Sequence, residues 1–256
     1  MISRLFSAAA LAAVVTASTG WSAALAADIK NVVIVHGAFA DGSGWRKVSD
    51  ILSSKGFNVT IVQQPLTSLK DDVAATRRVL ALQDGPALLV GHSYGGMVIS
   101  DAGNDKNVAG LVYVAAFQPE KGESLVSLAQ SKPDPNMKPG FVKATSDGYF
   151  YLDPNAFSEA FAADLPQEDS SFIARSQVFA SKASFTTKAG EPAWKTKPSW
   201  SVIATKDRSI NPELERDMAK RAGSTVSELD ASHAVYVSKA AEVADVILTA
   251  AEAVSK

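Results

Sequence analysis

The apolar run Ala87-Leu88-Leu89-Val90 stops at Gly91, and a second apolar run resumes at Gly95-Gly96-Met97-Val98-Ile99. Only His92, Ser93 and Tyr94 separate Gly91 from Gly95. A strand that breaks this sharply into a helix leaves a serine at the apex of the turn. Gly91 and Gly95 stand where a side chain would collide with the strand or the tight turn. In this setting Gly-x-Ser-x-Gly reads as a nucleophile elbow, which holds the serine hydroxyl clear of the backbone. The five residues alone carry little specificity. Their meaning depends on whether the chain supplies a base, an acid and an oxyanion site in matching places.

Taken in order, the chain alternates. Asn31 to Val35 is a β-branched run that predicts a strand buried on both faces. It enters the glycine-rich turn His36 to Trp45, followed by a helix to Ser54 with Gly56 at its end. Asn58 to Val62 predicts a second buried strand, and Ser68 caps a helix running to about Gln83. After the elbow, Val108 to Ala116 is a further apolar strand.

The alternation then lapses for residues 117–197, which contain several prolines and two helical stretches, about 154–163 and 167–179. This segment predicts a mostly helical cap over the site. Alternation resumes with a strand at Trp200 to Ala204 and a helix opened by Asn211-Pro212. A strand at Ser224 to Leu229 and a helix at Lys239 to Val254 complete the chain. Six strands separated mostly by helices predict one α/β domain, with a mostly parallel sheet and helices on both faces.

Composition narrows the chemistry. The 256 residues include no cysteine and three histidines, with a formal net charge of −2. Cysteine nucleophiles and thiolate metal sites are therefore excluded, and a multi-histidine metal site is hard to build. No basic block suggests nucleic acid. The expectation is a cofactor-free enzyme with no metal. At the N-terminus, Met1-Ile2-Ser3-Arg4 precedes an apolar stretch from Leu5 to Ala17, and Ala24-Leu25-Ala26 fits a signal-peptidase site. Residues 1–26 are thus read as a cleaved signal peptide. The stretch is too short for the ~20 residues of a membrane span. The mature domain, residues 27–256, is expected in the periplasm or medium, without a membrane attachment.

In open parallel sheets the reacting groups sit beyond the carboxyl ends of the strands. Those ends deliver His36, Ser93, Asp207 and His233. A serine hydroxyl is a poor nucleophile at neutral pH, so an imidazole must accept its proton and a carboxylate must orient that imidazole. His233 is the candidate base, because His92 lies within the elbow and His36 precedes the glycine loop, where it braces the turn. Asp207 is the candidate acid, ahead of Asp230, Asp101 and Glu120. The oxyanion donors are expected to be the backbone N–H groups of Tyr94 and Ala38, with Phe39 the neighbouring alternative. The glycine loop lacks the Gly-Lys-Ser/Thr of a phosphate cradle and the third glycine of a dinucleotide site.

With these residues in place, the chain resembles the α/β-hydrolase superfamily over its mature length. The resemblance rests on residues 35–45, residues 91–96, Asp207 and Ser232-His233. It is especially similar to the branch of small bacterial esterases, plant methylesterases and hydroxynitrile lyases. The resemblance implies Ser93 as nucleophile, Asp207 and His233 as its partners, Ala38 and Tyr94 as oxyanion donors, and His36, Gly37, Gly91 and Gly95 as structural residues. The lyases of that branch carry Thr and Lys where this chain has Gly37 and Ala234, which points to hydrolysis of a small-molecule ester. Other serine-triad reactions (lactone or C–C bond hydrolysis, perhydrolysis) and a non-catalytic receptor on the same fold are the alternatives. The cap's many aromatics, among them Phe117, Phe141, Phe150 and Phe161, are expected mainly to pack the cap, with a few lining an apolar pocket.

Overall fold

A computed structural model describes residues 28–135 and 140–255. The signal peptide read at residues 1–26 lies outside the described residues.

Strand β1 (Asn31–Val35) leads through a 3-10 turn into helix α1 (Arg46–Ser54). Gly56 follows with φ 88°, the left-handed conformation that glycine adopts without a Cβ penalty. Next come β2 (Asn58–Val62) and α2 (Leu69–Leu80), capped by the Ser68 side chain, which accepts from Asp71 N. Strand β3 (Ala87–Ser93), α3 (Gly95–Ala102) and β4 (Val108–Ala116) complete the first half.

The cap contains α4 (Leu125–Ser131), β5 (Val142–Ala144), β6 (Tyr149–Leu152), α5 (Phe157–Phe161), α6 (Gln167–Ser176), β7 (Ala180–Ser181) and α7 (Lys182–Thr186). The main fold resumes with β8 (Ser199–Ala204), α8 (Pro212–Ala222), β9 (Thr225–Leu229), α9 (Val235–Ser238) and α10 (Ala240–Val254). No helix among the described residues is long and apolar enough to cross a membrane.

Six strands form one sheet in the order β2-β1-β3-β4-β8-β9, every pair parallel. Side chains alternate across it with period two. Val33, Val35 and Leu89 face the core shared with α2, α3 and α8, while Val32, Ile34, Leu88 and Val90 face the one shared with α1 and α10. Each such aliphatic side chain removed from water contributes on the order of 1.5–3 kcal/mol. The inner strands β1, β3 and β4 therefore read as nearly continuous apolar runs, while β8 keeps Ser199 and Ser201 on one of its faces.

Two expectations change. Strand β2 lies at the sheet edge and is only half-buried over Val59 to Ile61, so its β-branched sequence reflects strand propensity more than two-sided burial. The cap is not wholly helical: β5, β6 and β7 form a three-stranded antiparallel sheet. Its hairpin turns at Gly148, φ 90°, and Tyr149-Phe150-Tyr151-Leu152 pairs with both neighbours. The two predicted cap helices are shorter than their apolar patterns suggested.

Candidate active site

β3 delivers Ser93 at the centre of the sheet, between β1 and β4. Ser93 has φ 53°, a left-handed conformation that costs a non-glycine residue about 1–2 kcal/mol. Close packing around the turn over-determines it. A Cβ at Gly95 would lie 2.5 Å from the Val35 carbonyl oxygen, and one at Gly91 would lie 2.7 Å from the Gly95 oxygen. Strand β1 and helix α3 can approach the elbow this closely only at glycine.

His233 follows β9 and Asp207 follows β8. The imidazole Nδ1 lies 2.6 Å from Asp207 Oδ2, and both residues are buried. The carboxylate is itself held: its Oδ1 accepts from the backbone N–H of Ser209 at 2.6 Å and of Ile210 at 2.9 Å. Nδ1 therefore carries the proton that it donates to Asp207, which leaves Nε2 with its lone pair. Ser93 and His233 line the same cavity. Among the described residues the Ser93 hydroxyl has no hydrogen-bond partner, so it is free to turn towards Nε2 or an incoming carbonyl.

The other carboxylates considered lie elsewhere. Asp230 is exposed and pairs with Lys206 at 2.7 Å, Asp101 pairs with Arg77 at 2.9 Å, and Glu120 pairs with Lys195 at 2.6 Å.

The two remaining histidines are buried and neutral. His36 Nε2 accepts from Gln64 N at 3.1 Å, so Nδ1 carries the proton and donates to the Gly37 carbonyl at 2.8 Å. Burial lowers its pKa. The Gln64 side-chain amide also donates to the His36 carbonyl, so the turn is tied to the end of β2 from both sides. His92 Nε2 donates to the His233 carbonyl at 3.0 Å. Burial, then the neighbouring His233, push its pKa well below 6.5. Its ring centroid lies 4.6 Å from that of His233 and 4.5 Å from that of Tyr236, with Phe161 edge-on to both histidines. His92 thus holds the His233 backbone through its carbonyl.

Ala38 and Tyr94 also line the cavity. Among the described residues neither backbone N–H has an acceptor, and Tyr94 sits at the N-terminus of α3, where the helix dipole favours negative charge. Gly37 is sterically required: a Cβ there would lie 2.8 Å from Ser93 Cβ and 2.9 Å from His92 Nδ1.

Several contributors carried no signal in the sequence. Asp72 on α2 accepts from the Tyr94 hydroxyl at 2.7 Å, although its spacing marks it only as a first-turn acid. Asp164 of the cap accepts from Ser232 N at 3.1 Å and from its hydroxyl, pinning the loop before His233. Phe185 and Arg208 line the cavity. Phe39, which the sequence already offers as the alternative to Ala38, lines the cavity too, at φ 62°, and only its partners there were hidden. These depend on non-local contacts that no local pattern encodes.

Among the described residues no cluster of three or more His, Cys, Asp or Glu side chains is arranged to hold a metal ion. The chemistry this geometry can perform is proton abstraction from a serine beside an anion-stabilising pocket.

The chain is 33% identical over 126 residues to a carbendazim-hydrolysing esterase from a Nocardioides species, spanning 44% of this chain and about half (52%) of that protein. It is 25% identical over 238 residues to a probable hydrolase from a Phoma species, spanning 84% of this chain and 96% of that one. Among solved structures, a pyrethroid hydrolase from Sphingobium faniae superposes with a TM-score of 0.76 at 22% identity, covering 88% of this chain and 98% of its own. Polyneuridine aldehyde esterase superposes with a TM-score of 0.74 at 20% identity, covering 86% and 98%. The sequence model of the alpha/beta hydrolase family matches residues 32–246, from β1 into α10, and the chain belongs to that family.

Proposed function

We propose that this protein is a serine hydrolase that cleaves carboxylic esters of small molecules through an acyl-enzyme intermediate. The observation that carries the reading is the buried 2.6 Å His233–Asp207 pair, whose imidazole lines the same cavity as Ser93. His233 Nε2 takes the Ser93 proton as the hydroxyl oxygen attacks the ester carbonyl. The tetrahedral oxyanion rests on the backbone N–H groups of Ala38 and Tyr94, both residues of the cavity lining. His233 then protonates the leaving alcohol. It next activates a water that attacks the acyl group, and collapse of the second tetrahedral intermediate returns the proton to Ser93. The esterase names of the relatives support ester hydrolysis as the overall reaction.

Gly37 and Ala234 favour hydrolysis over carbon–cyanide cleavage. Ala234 is fully buried, and no lysine is among the described residues that line the cavity to stabilise a leaving cyanide. Export by the N-terminal signal completes the proposal, with the enzyme acting in the periplasm or medium. Ser93→Ala tests the mechanism: it should abolish both ester hydrolysis and labelling by a fluorophosphonate. Unchanged turnover in that variant would refute the mechanism.

A further inference from the structure

The cavity over Ser93 has a volume of about 440 Å³. That is at the smaller end of the range for small-molecule sites, which suits a one- or two-ring ester rather than a polymer. One wall is aromatic and assembled from three separate parts of the chain. Phe39 comes from the loop that also supplies Ala38, Phe150 from β6, and Phe185 from α7. The Phe150 and Phe185 rings are parallel to within 4° at 5.7 Å, and Phe39 meets Phe185 edge-on at 5.7 Å. The Tyr94 ring meets Phe185 edge-on as well, at 5.9 Å. Phe39 is held in a left-handed backbone conformation that disfavours any side chain, so the surrounding structure maintains its position against local preference. Such a cluster offers both ring faces and ring edges, the two contacts that a further aromatic ring prefers.

Charge points the same way. Arg208 is the single formally charged side chain among the described lining residues, and its guanidinium pairs with Glu159 at 3.3 Å. An anionic substrate would give up its hydration on entry and find only a half-exposed cation that already has a carboxylate partner.

We infer that the preferred substrates are uncharged esters carrying an aromatic ring, seated against Phe39, Phe150 and Phe185. This rests on the reading of Ser93 as nucleophile. The test compares esters of similar leaving-group reactivity by titrating released acid. Benzyl acetate, cyclohexylmethyl acetate, butyl acetate and benzyl hydrogen succinate are presented to the wild type, Phe39→Ala and Phe185→Leu, with thermal melts confirming that the variants fold. The expected result is a kcat/KM for benzyl acetate at least about tenfold above each of the other three, the scale on which apolar pockets discriminate. Both variants should bring the benzyl-to-cyclohexylmethyl ratio close to one. A merely structural role would lower both substrates alike and leave that ratio unchanged, which would overturn the assignment. So would equal turnover of cyclohexylmethyl acetate, or preference for the succinate, in an enzyme that a fluorophosphonate labels at Ser93. Absence of labelling would instead remove the nucleophile reading, and this inference with it.

Discussion

The Tyr94 hydroxyl donates a 2.7 Å hydrogen bond to Asp72 Oδ2, tying the residue that follows Ser93 to helix α2. The other Asp72 oxygen accepts from Leu66 N at 2.8 Å, and the Leu66 carbonyl in turn accepts from Ser181 N at 2.8 Å. One buried carboxylate therefore links the elbow to the base of the cap. The cap's other side is fixed to the loops that carry Asp207 and His233: Ser209 Oγ donates to the Ala160 carbonyl at 2.8 Å, and Ala234 N donates to the Phe161 carbonyl at 2.9 Å.

Asp72 should make stability depend on pH. Burial raises its pKa from 3.8 to about 6, outweighing the Tyr94 and Leu66 hydrogen bonds that favour the ionised form, and nearby Asp71 adds to the rise. A carboxyl whose folded pKa exceeds its unfolded one binds its proton more tightly when folded. Its contribution is greatest below about pH 4 and is lost as pH rises through about 6. Asp72→Asn should flatten the stability profile across that window by about 2–3 kcal/mol, at 1.36 kcal/mol per unit. Denaturant melts between pH 4 and 7 measure it, and a slope equal to that of the wild type would contradict the account.

Substitutions at the elbow should separate activity from stability. Ser93→Ala and Ser93→Gly both lose the nucleophile, with hydrolysis falling by at least about 10³-fold. Only the glycine variant also escapes the left-handed penalty at φ 53°. It should be more stable than the alanine variant by about 1 kcal/mol, a difference visible in paired thermal melts.

Asp207→Asn should retain the fold and lose catalysis. An amide can accept from Ser209 and Ile210 as the carboxylate does, but it no longer favours the Nδ1–H tautomer of His233 or stabilises the imidazolium. A fall in kcat of about 10⁴-fold is expected at neutral pH. Near-normal turnover would remove the acid role from Asp207.

Gly37→Ala probes the floor of the site. The added methyl meets Ser93 Cβ and His92 Nδ1, neither of which is the free end of a flexible chain. The displaced serine should lower kcat by about 10²-fold, with thermal stability reduced as well. Steady-state kinetics and a melt on the same preparation check both effects.

The central sheet was legible in the sequence because its inner strands are buried on both faces, and uninterrupted apolar runs such as Ala87 to Val90 announce that burial. The serine, the loop glycines and the histidine at the last strand end were legible for a related reason: a parallel sheet brings all its carboxyl ends to one edge. Local chemistry therefore determined the elbow, its order of partners and the chain's family. Which residues stand together was decided by tertiary structure. The cap strands have two to four residues each, too short for a periodic signal, and Phe150 pairs with Ala180 thirty positions later. Asp72 gains its raised pKa only when α2 packs beneath Tyr94, and Phe39, Phe150 and Phe185 become one wall only when the loop, hairpin and helix converge. Pairing across such separations depends on packing volume and on hydrogen bonds between distant segments, which no window of the sequence contains.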